Sequence, residues 1–173
     1  QAAEFHADAA RLFINDGAMQ FSEQAAARGI ADTGQGRAVV CADLDRDGDV
    51  DVLVQNSGSE QSGVSKLYLN DAAENASGTS IRLRQPGLNR EAINARVYAR
   101  RSDGLTQMRE IEGGGSFLGS HPAEAHFGWG EEHVTGLRVR WPDGVIEHFR
   151  PSDVPMQTLV RGEGCDLFID AFE

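Results

Sequence analysis

The sequence predicts an all-β protein, with a partial propeller-like repeat unit packed against a C-terminal antiparallel β-sandwich. Three observations lead there. Short apolar runs of strand length, many alternating with polar residues, follow one another along the chain and are separated by turn residues. Glycine is abundant, 20 residues against 5 prolines, which supplies many tight turns. A strand-and-turn phrase near the start, Leu12-Phe13-Ile14-Asn15-Asp16, returns as Leu67-Tyr68-Leu69-Asn70-Asp71 just before the pattern changes, the mark of an internal repeat.

Taken in order, QAAEFHADAARLF carries helix-tolerant alanines, but LFINDG reads as a short strand entering a turn. AVVCA at 38–42 is a strand, the acidic stretch from Asp43 to Asp51 a loop, and VDVLV at 50–54 a second strand. QNSGSEQSGVS at 55–65 is a polar connection leading to KLYLND. One unit of this kind cannot close a propeller and leaves an edge in need of a partner. The polar junction DAAENASGT divides residues 1–75 from residues 76–173. Beyond it, strands are expected at SIRLR (80–84), ARVYARR (95–101) and LTQMREI (105–111), the last two joined by a hairpin turn at Asp103-Gly104. Leu137, Val139 and Trp141 alternate with Arg138 and Arg140, so one face of that strand is apolar and the other basic. A turn at Asp143-Gly144, then VIEHF at 145–149 and TLV at 158–160, complete the expected sandwich.

Charge narrows the function classes. The 27 acidic and 16 basic residues give a formal net charge of -11, which argues against a nucleic-acid partner or an anionic membrane face and favours cations. No apolar run reaches membrane-helix length, so no integral membrane segment is expected. Residues 1–20 lack the ordering of a secretion signal, which leaves a removed signal or an excised portion of a longer protein as the two readings. Cys41 and Cys165 offer one bridge, although the apolar run around Cys41 favours a buried free thiol.

The most specific chemistry lies in DLDRDGDVD. It places Asp43, Asp45, Asp47 and Asp51 at loop positions one, three, five and nine, with Gly48 at position six to permit the bend. Calcium needs six to eight oxygen ligands, and alternate carboxylates in a curling loop converge on one centre. Asp49 sits at position seven, where the main-chain carbonyl is the natural ligand. Without a cation the carboxylates repel one another, so binding and local folding are coupled. Magnesium demands a tighter octahedron, and zinc lacks a suitable Cys or His pattern nearby. Val54 stands where an EF-hand has its twelfth-position Glu, and strands replace the flanking helices, which disfavours that motif. The plainer alternative is a solvated acidic turn.

These residues resemble a known pattern. DLDRDGDVDVLVQN, bracketed by LFINDG and LYLND, is similar to the FG-GAP or VCBS-type repeat, the calcium-bearing blade also used in integrin-like propellers; Asn15-Asp16-Gly17 to Phe21 matches its blade-opening phrase. The resemblance spans roughly residues 10 to 75 and implies side-chain ligation by Asp43, Asp45, Asp47 and Asp51, with the Asp49 carbonyl. Residues 76 to about 162 resemble the ASPIC/UnbV domain of cartilage acidic protein-like and bacterial secreted proteins, through GLNREAINARV, QMREIEGGGSF, HFGWG and VRWPDG. Asn94 stands where that family usually has Gly, and Trp129 where it usually has Leu. The resemblance implies an extracellular, periplasmic or cell-surface setting and no particular reaction.

The expected function is a noncatalytic, calcium-stabilised adhesion or interaction module. Its expected partner is an extracellular protein or a glycan, or a second copy pairing through the open edge. Two alternatives stand beside it: a secreted hydrolase with a polar site around His121, His126 and Glu131, and a truncated structural portion of a larger propeller protein. Ser116 and Ser120 lack a nucleophile elbow, and Asp166 and Asp170 cannot be paired from sequence. Arg90, Arg96 and Arg109 have internal partners in Glu91, Glu110 and Glu112, or recognise an acidic ligand. Trp141 shares parity with Leu137 and Val139 and is expected in the core, which leaves Trp129 as the candidate for a ligand-facing aromatic.

Overall fold

The structure is a computed structural model and describes residues 9–58, 63–71 and 77–165. The N-terminal alanines before Ala9, most of the junction after Asp71, and Asp166 and Asp170 lie outside the described residues. Every assigned element among the described residues is a β-strand, and no helix is long and apolar enough to cross a membrane.

The chain begins with a small antiparallel hairpin, β1 (Phe13–Asn15) and β2 (Phe21–Glu23). Its turn is held by the NDG phrase: Asn15 Oδ1 accepts the Gly17 N–H and Asp16 Oδ1 accepts the Ala18 N–H. Next, β3 (Gly36–Ala42), β4 (Asp51–Asn56) and β5 (Lys66–Tyr68) form a three-stranded antiparallel sheet in that order. The Asp-rich stretch is the connection between β3 and β4.

From Ser77 onward two further sheets carry the main core. The first contains β6 (Ser77–Arg84), β11 (Glu124–Gly130) and β14 (Met156–Val160), with β6 in the centre. The second contains β7 (Arg96–Arg101), β8 (Thr106–Glu110), β12 (Val134–Arg140) and β13 (Ile146–Phe149), in the order β13-β12-β7-β8. A short pair, β9 (Gly115–Ser116) and β10 (Gly119–Ser120), lies between β8 and β11 in the chain. Alternation decides what each strand buries. Ile81 and Leu83, Ala125 and Phe127, and Leu159 from the first sheet meet Val97, Ala99, Leu137, Val139 and Phe149 from the second in one buried cluster.

Trp141 joins that cluster, 1% exposed, with Phe149 edge-on at 6.5 Å between ring centroids. Arg138, on the opposite parity, lies over the Tyr98 ring at 4.4 Å, so the basic face is partly a stacking surface. The Asp103-Gly104 turn forms as expected, with Gly104 at φ 87 and the Arg101 N–H donating to the Leu105 carbonyl at 2.8 Å. Asn94 has φ 72, a left-handed backbone that explains why glycine is the usual occupant and why Asn substitutes for it.

Three expectations are corrected. The sheets are not wholly antiparallel: β14 runs parallel to β6, with Met156 opposite Ser80 and Val160 opposite Arg84. Alternation in TLV reports a strand and its faces but not its direction, which is set when Arg150–Pro155 carries the chain from β13 across to the other sheet. Trp129 is core, 4% exposed, stacked on Phe127 at 5.5 Å and donating its indole N–H to Thr79 Oγ1 at 3.1 Å. It shares its strand face with Ala125 and Phe127, a parity that its flanking glycines obscured. Cys41 and Cys165 are free thiols, and Cys41 is exposed rather than buried.

The arginines divide between partners. Arg96 pairs with Glu110 at 3.0 Å and Arg84 with Glu91 at 3.6 Å, whereas Arg109 lies over the Phe127 ring at 5.6 Å. The two pairs are substantially exposed and contribute little to stability. The core does most of it. Phe127→Ala should destabilise the fold by about 3–5 kcal/mol, while Leu88→Ala, at a fully exposed side chain, should change it by less than about 0.5 kcal/mol. Urea unfolding followed by the fluorescence of Trp129 and Trp141 measures both, and similar losses would place Phe127 outside the core.

Candidate metal centre

The loop is built by the hairpin it closes. Antiparallel pairing sets Ala42 opposite Asp51, so the residue leaving β3, Asp43, and the residue opening β4, Asp51, stand side by side. Between them the backbone turns through two left-handed residues, Arg46 at φ 66 and Gly48 at φ 102. Two aspartates stiffen the curl: Asp45 Oδ1 accepts the Asp47 N–H at 3.3 Å, and Asp47 Oδ1 accepts the Asp49 N–H at 2.8 Å. Asp51 is fully buried and clasps two segments, accepting the Leu44 N–H at 2.7 Å and the Asn70 N–H at 2.9 Å. Asn70 belongs to the second copy of the repeated phrase. Its role was hidden because a backbone N–H leaves no trace in side-chain spacing.

Asp43, Asp45 and Asp51 each present one carboxylate oxygen within 4.8 Å of the others. Asp47 and Asp49 stand outside that group as side chains. Asp43 is 5% exposed, and neither of its oxygens has a hydrogen-bond partner. A buried carboxylate without partners is costly, and a second and third beside it raise the cost. Partial desolvation, then the Asp47 charge, push the Asp45 carboxyl above its ordinary value; the same two causes raise Asp49, opposed by His126. A bound cation removes each of these penalties. The donor set is all oxygen, which suits calcium, and no Cys or His belongs to the group.

The histidines divide. His121 and His126 line one cavity of about 540 Å³ together with Asp43, Ser80, Arg109 and Glu124. Glu131 is not among its lining residues, and His133 lines a different cavity of about 250 Å³ beside Trp129 and Asp47. His121 Nδ1 accepts the Cys41 N–H at 3.1 Å, and His126 Nδ1 lies 3.1 Å from Ser80 Oγ. Burial holds His126 below its ordinary value, against the pull of the Asp43 charge. Ser80 is 1% exposed in the central strand of its sheet, so its hydroxyl ties β6 to β11.

The sequence profile described as ASPIC and UnbV matches residues 75–163, more than half of the chain. The chain belongs to that family. The FG-GAP-like repeat matches residues 3–54, a span that holds the Asp loop. This ASPIC/UnbV protein is 27% identical over 111 residues to cartilage acidic protein 1 of Homo sapiens, covering 64% of the chain and 16% of that relative. It is 27% identical over 113 residues to cartilage acidic protein 1 of Xenopus tropicalis, covering 65% of the chain and 17% of that relative. The chain thus spans well under a quarter of the length of either.

Two outcomes follow for the metal-free ASPIC/UnbV protein. Asp43→Asn should raise its melting temperature in chelator by about 2–4 °C, the shift that about 1 kcal/mol produces at this chain length; calorimetry that finds a fall would remove the buried-charge argument. Asp45 and Asp49 have folded-state values above their unfolded ones. Their destabilising contribution is therefore present above the raised value and is relieved as pH falls through it toward the unfolded value. Carboxyl-carbon NMR in chelator should show both titrating above the ordinary Asp value, and both moving down when calcium is added.

Proposed function

We propose that this protein is a noncatalytic, calcium-stabilised extracytoplasmic adhesion or interaction module. Residues 1–75 act as an FG-GAP/VCBS-like repeat region, a partial propeller-like unit, and residues 76–173 as a β-sandwich of the ASPIC/UnbV type. The observation that carries the metal reading is Asp43, whose two buried oxygens lack partners beside Asp45 and Asp51. In this reading Asp43, Asp45, Asp47 and Asp51 ligate through side chains and Asp49 through its carbonyl. Asp47 uses the oxygen that does not accept the Asp49 N–H. Calcium held there would supply positive charge that offsets the carboxylate repulsion, and these loop residues would hold it.

The interaction reading draws on the surface. Phe13, Phe21, Leu67 and Leu69 are more than half exposed on and beside the small N-terminal sheets, as expected where a repeat unit meets a protein partner, a neighbouring unit or a second copy. A glycan remains the alternative occupant. The relatives' name, cartilage acidic protein, agrees with an extracellular setting and with the net charge of -11. The competing hydrolase around His121, His126 and Glu131 is not assembled as drawn, because Glu131 does not line the cavity that the two histidines share with Asp43, Glu110, Glu112 and Glu124.

Calorimetric titration of chelator-stripped protein tests the metal reading. Calcium should bind, and at about 100 times its Kd should add about 2.7 kcal/mol of stability, with magnesium weaker. Asp47→Ala should lose more calcium affinity than Asp49→Ala, since a carbonyl ligand survives truncation of its own side chain. A folded chain that takes up no calcium overturns the proposal, and equal losses reassign Asp49 as a carboxylate ligand.

A further inference from the structure

We infer that the Asp loop is also a joint, through which its cation is coupled to the sheet of β6, β11 and β14, with Gly78 as the residue that positions the loop. This rests on the calcium reading above. Gly48, buried at the apex of the loop, meets Gly78 near the start of β6 with no side chain between them. A Cβ built on Gly78 would overlap the Gly48 carbonyl oxygen and lie 2.9 Å from His126 Cε1; one built on Gly48 would stand 3.0 Å from the Gly78 carbonyl oxygen. The two carbonyl oxygens are backbone atoms, which cannot turn aside as a flexible side chain would. The Gly48 carbonyl belongs to the peptide that joins Gly48 to Asp49, so its seat against Gly78 constrains the backbone that runs from Asp47 to Asp49.

Gly78 is tied into its sheet. It pairs with Gly128 on β11, and the next two residues are buried and engaged: Thr79 accepts the Trp129 indole N–H, and Ser80 bonds His126. A second contact reaches the other side of the sheet, where Arg46 donates to Met156 Sδ on β14 at 2.9 Å. The strand that feeds the loop is held as well. The Val39 N–H donates to Ser116 Oγ at 3.2 Å and the Cys41 N–H to His121 Nδ1 at 3.1 Å. The loop is therefore seated at its apex, its flank and its approach, while its own carboxylates oppose the closed conformation until a cation arrives. Reciprocity then applies: the factor by which seating against Gly78 strengthens cation binding is the factor by which the cation strengthens seating.

The test compares hydrogen exchange of the full chain in calcium and in chelator, beside calcium titrations of Gly78→Ala. Calcium should slow the amides of residues 43–51 and, with them, those of 77–80 and 126–128. Gly78→Ala should bind calcium about 5–150-fold more weakly, the usual span of coupling between sites, and should show a smaller calcium-induced rise in melting temperature. A merely structural role for Gly78 would lower the melting temperature equally in calcium and in chelator, which overturns the inference. So does protection confined to the loop in the unaltered chain, a result that needs no variant to fold and leaves the calcium reading intact. No response in the loop itself overturns the calcium reading and this inference together.

Discussion

Pairing of β3 with β4 places Ala42 opposite Asp51, and much else depends on that register. It forces the carboxylate after one strand against the carboxylate that begins the next. The chain spends two interactions on Asp51, whose oxygens take the N–H groups of Leu44 and Asn70, and none on Asp43. The asymmetry has physical content. Asp51 would be largely satisfied in any state that keeps the three-stranded sheet, whereas Asp43 has no hydrogen-bond partner among the described residues. One of the two ties segments together and the other stands buried and unpaired among the described residues.

The C-terminal sheets solve a different problem by different means. Their cluster is filled by aromatic and branched side chains from both sheets, and the polar groups that enter it are tied off, as Thr79 is by Trp129 and Ser80 by His126. Among the described residues the small N-terminal sheets have no comparable core: the buried apolar residues there are Ala25, Ala38, Ala42 and Val54. That side is held by hydrogen bonds to the C-terminal half, from Val39 to Ser116, Cys41 to His121 and Arg46 to Met156, more than by packed volume.

Much of this was legible in the sequence where the signal is local. The alternation at Leu137, Val139 and Trp141 marked a buried face, and the Asp103-Gly104 and Asp143-Gly144 turns fell between strands. The spacing of Asp43, Asp45, Asp47 and Asp51 pointed to carboxylates brought together, and Asp43, Asp45 and Asp51 form such a group. The missing parts were those that a single strand cannot encode. Direction was one, as with β14 beside β6. Contacts between segments far apart in the chain were another, such as Ser116 and His121 against β3 or Gly78 against Gly48. β2, β9 and β10 are too short to display a period at all.

The edge of β3 is closed by side chains, not by another strand. Ser116 and His121 cap the N–H groups of Val39 and Cys41 from 77 and 80 residues further along the chain. During synthesis the ribosome delivers β3, β4 and β5 long before it delivers their caps. Through that interval the β3 edge is uncapped by this device and open to pairing with any extended chain nearby. The arrangement thus imposes an order of events on biogenesis, in which the sheet of β3, β4 and β5 is made well before its edge is capped, and a nascent chain halted before residue 116 carries a live edge.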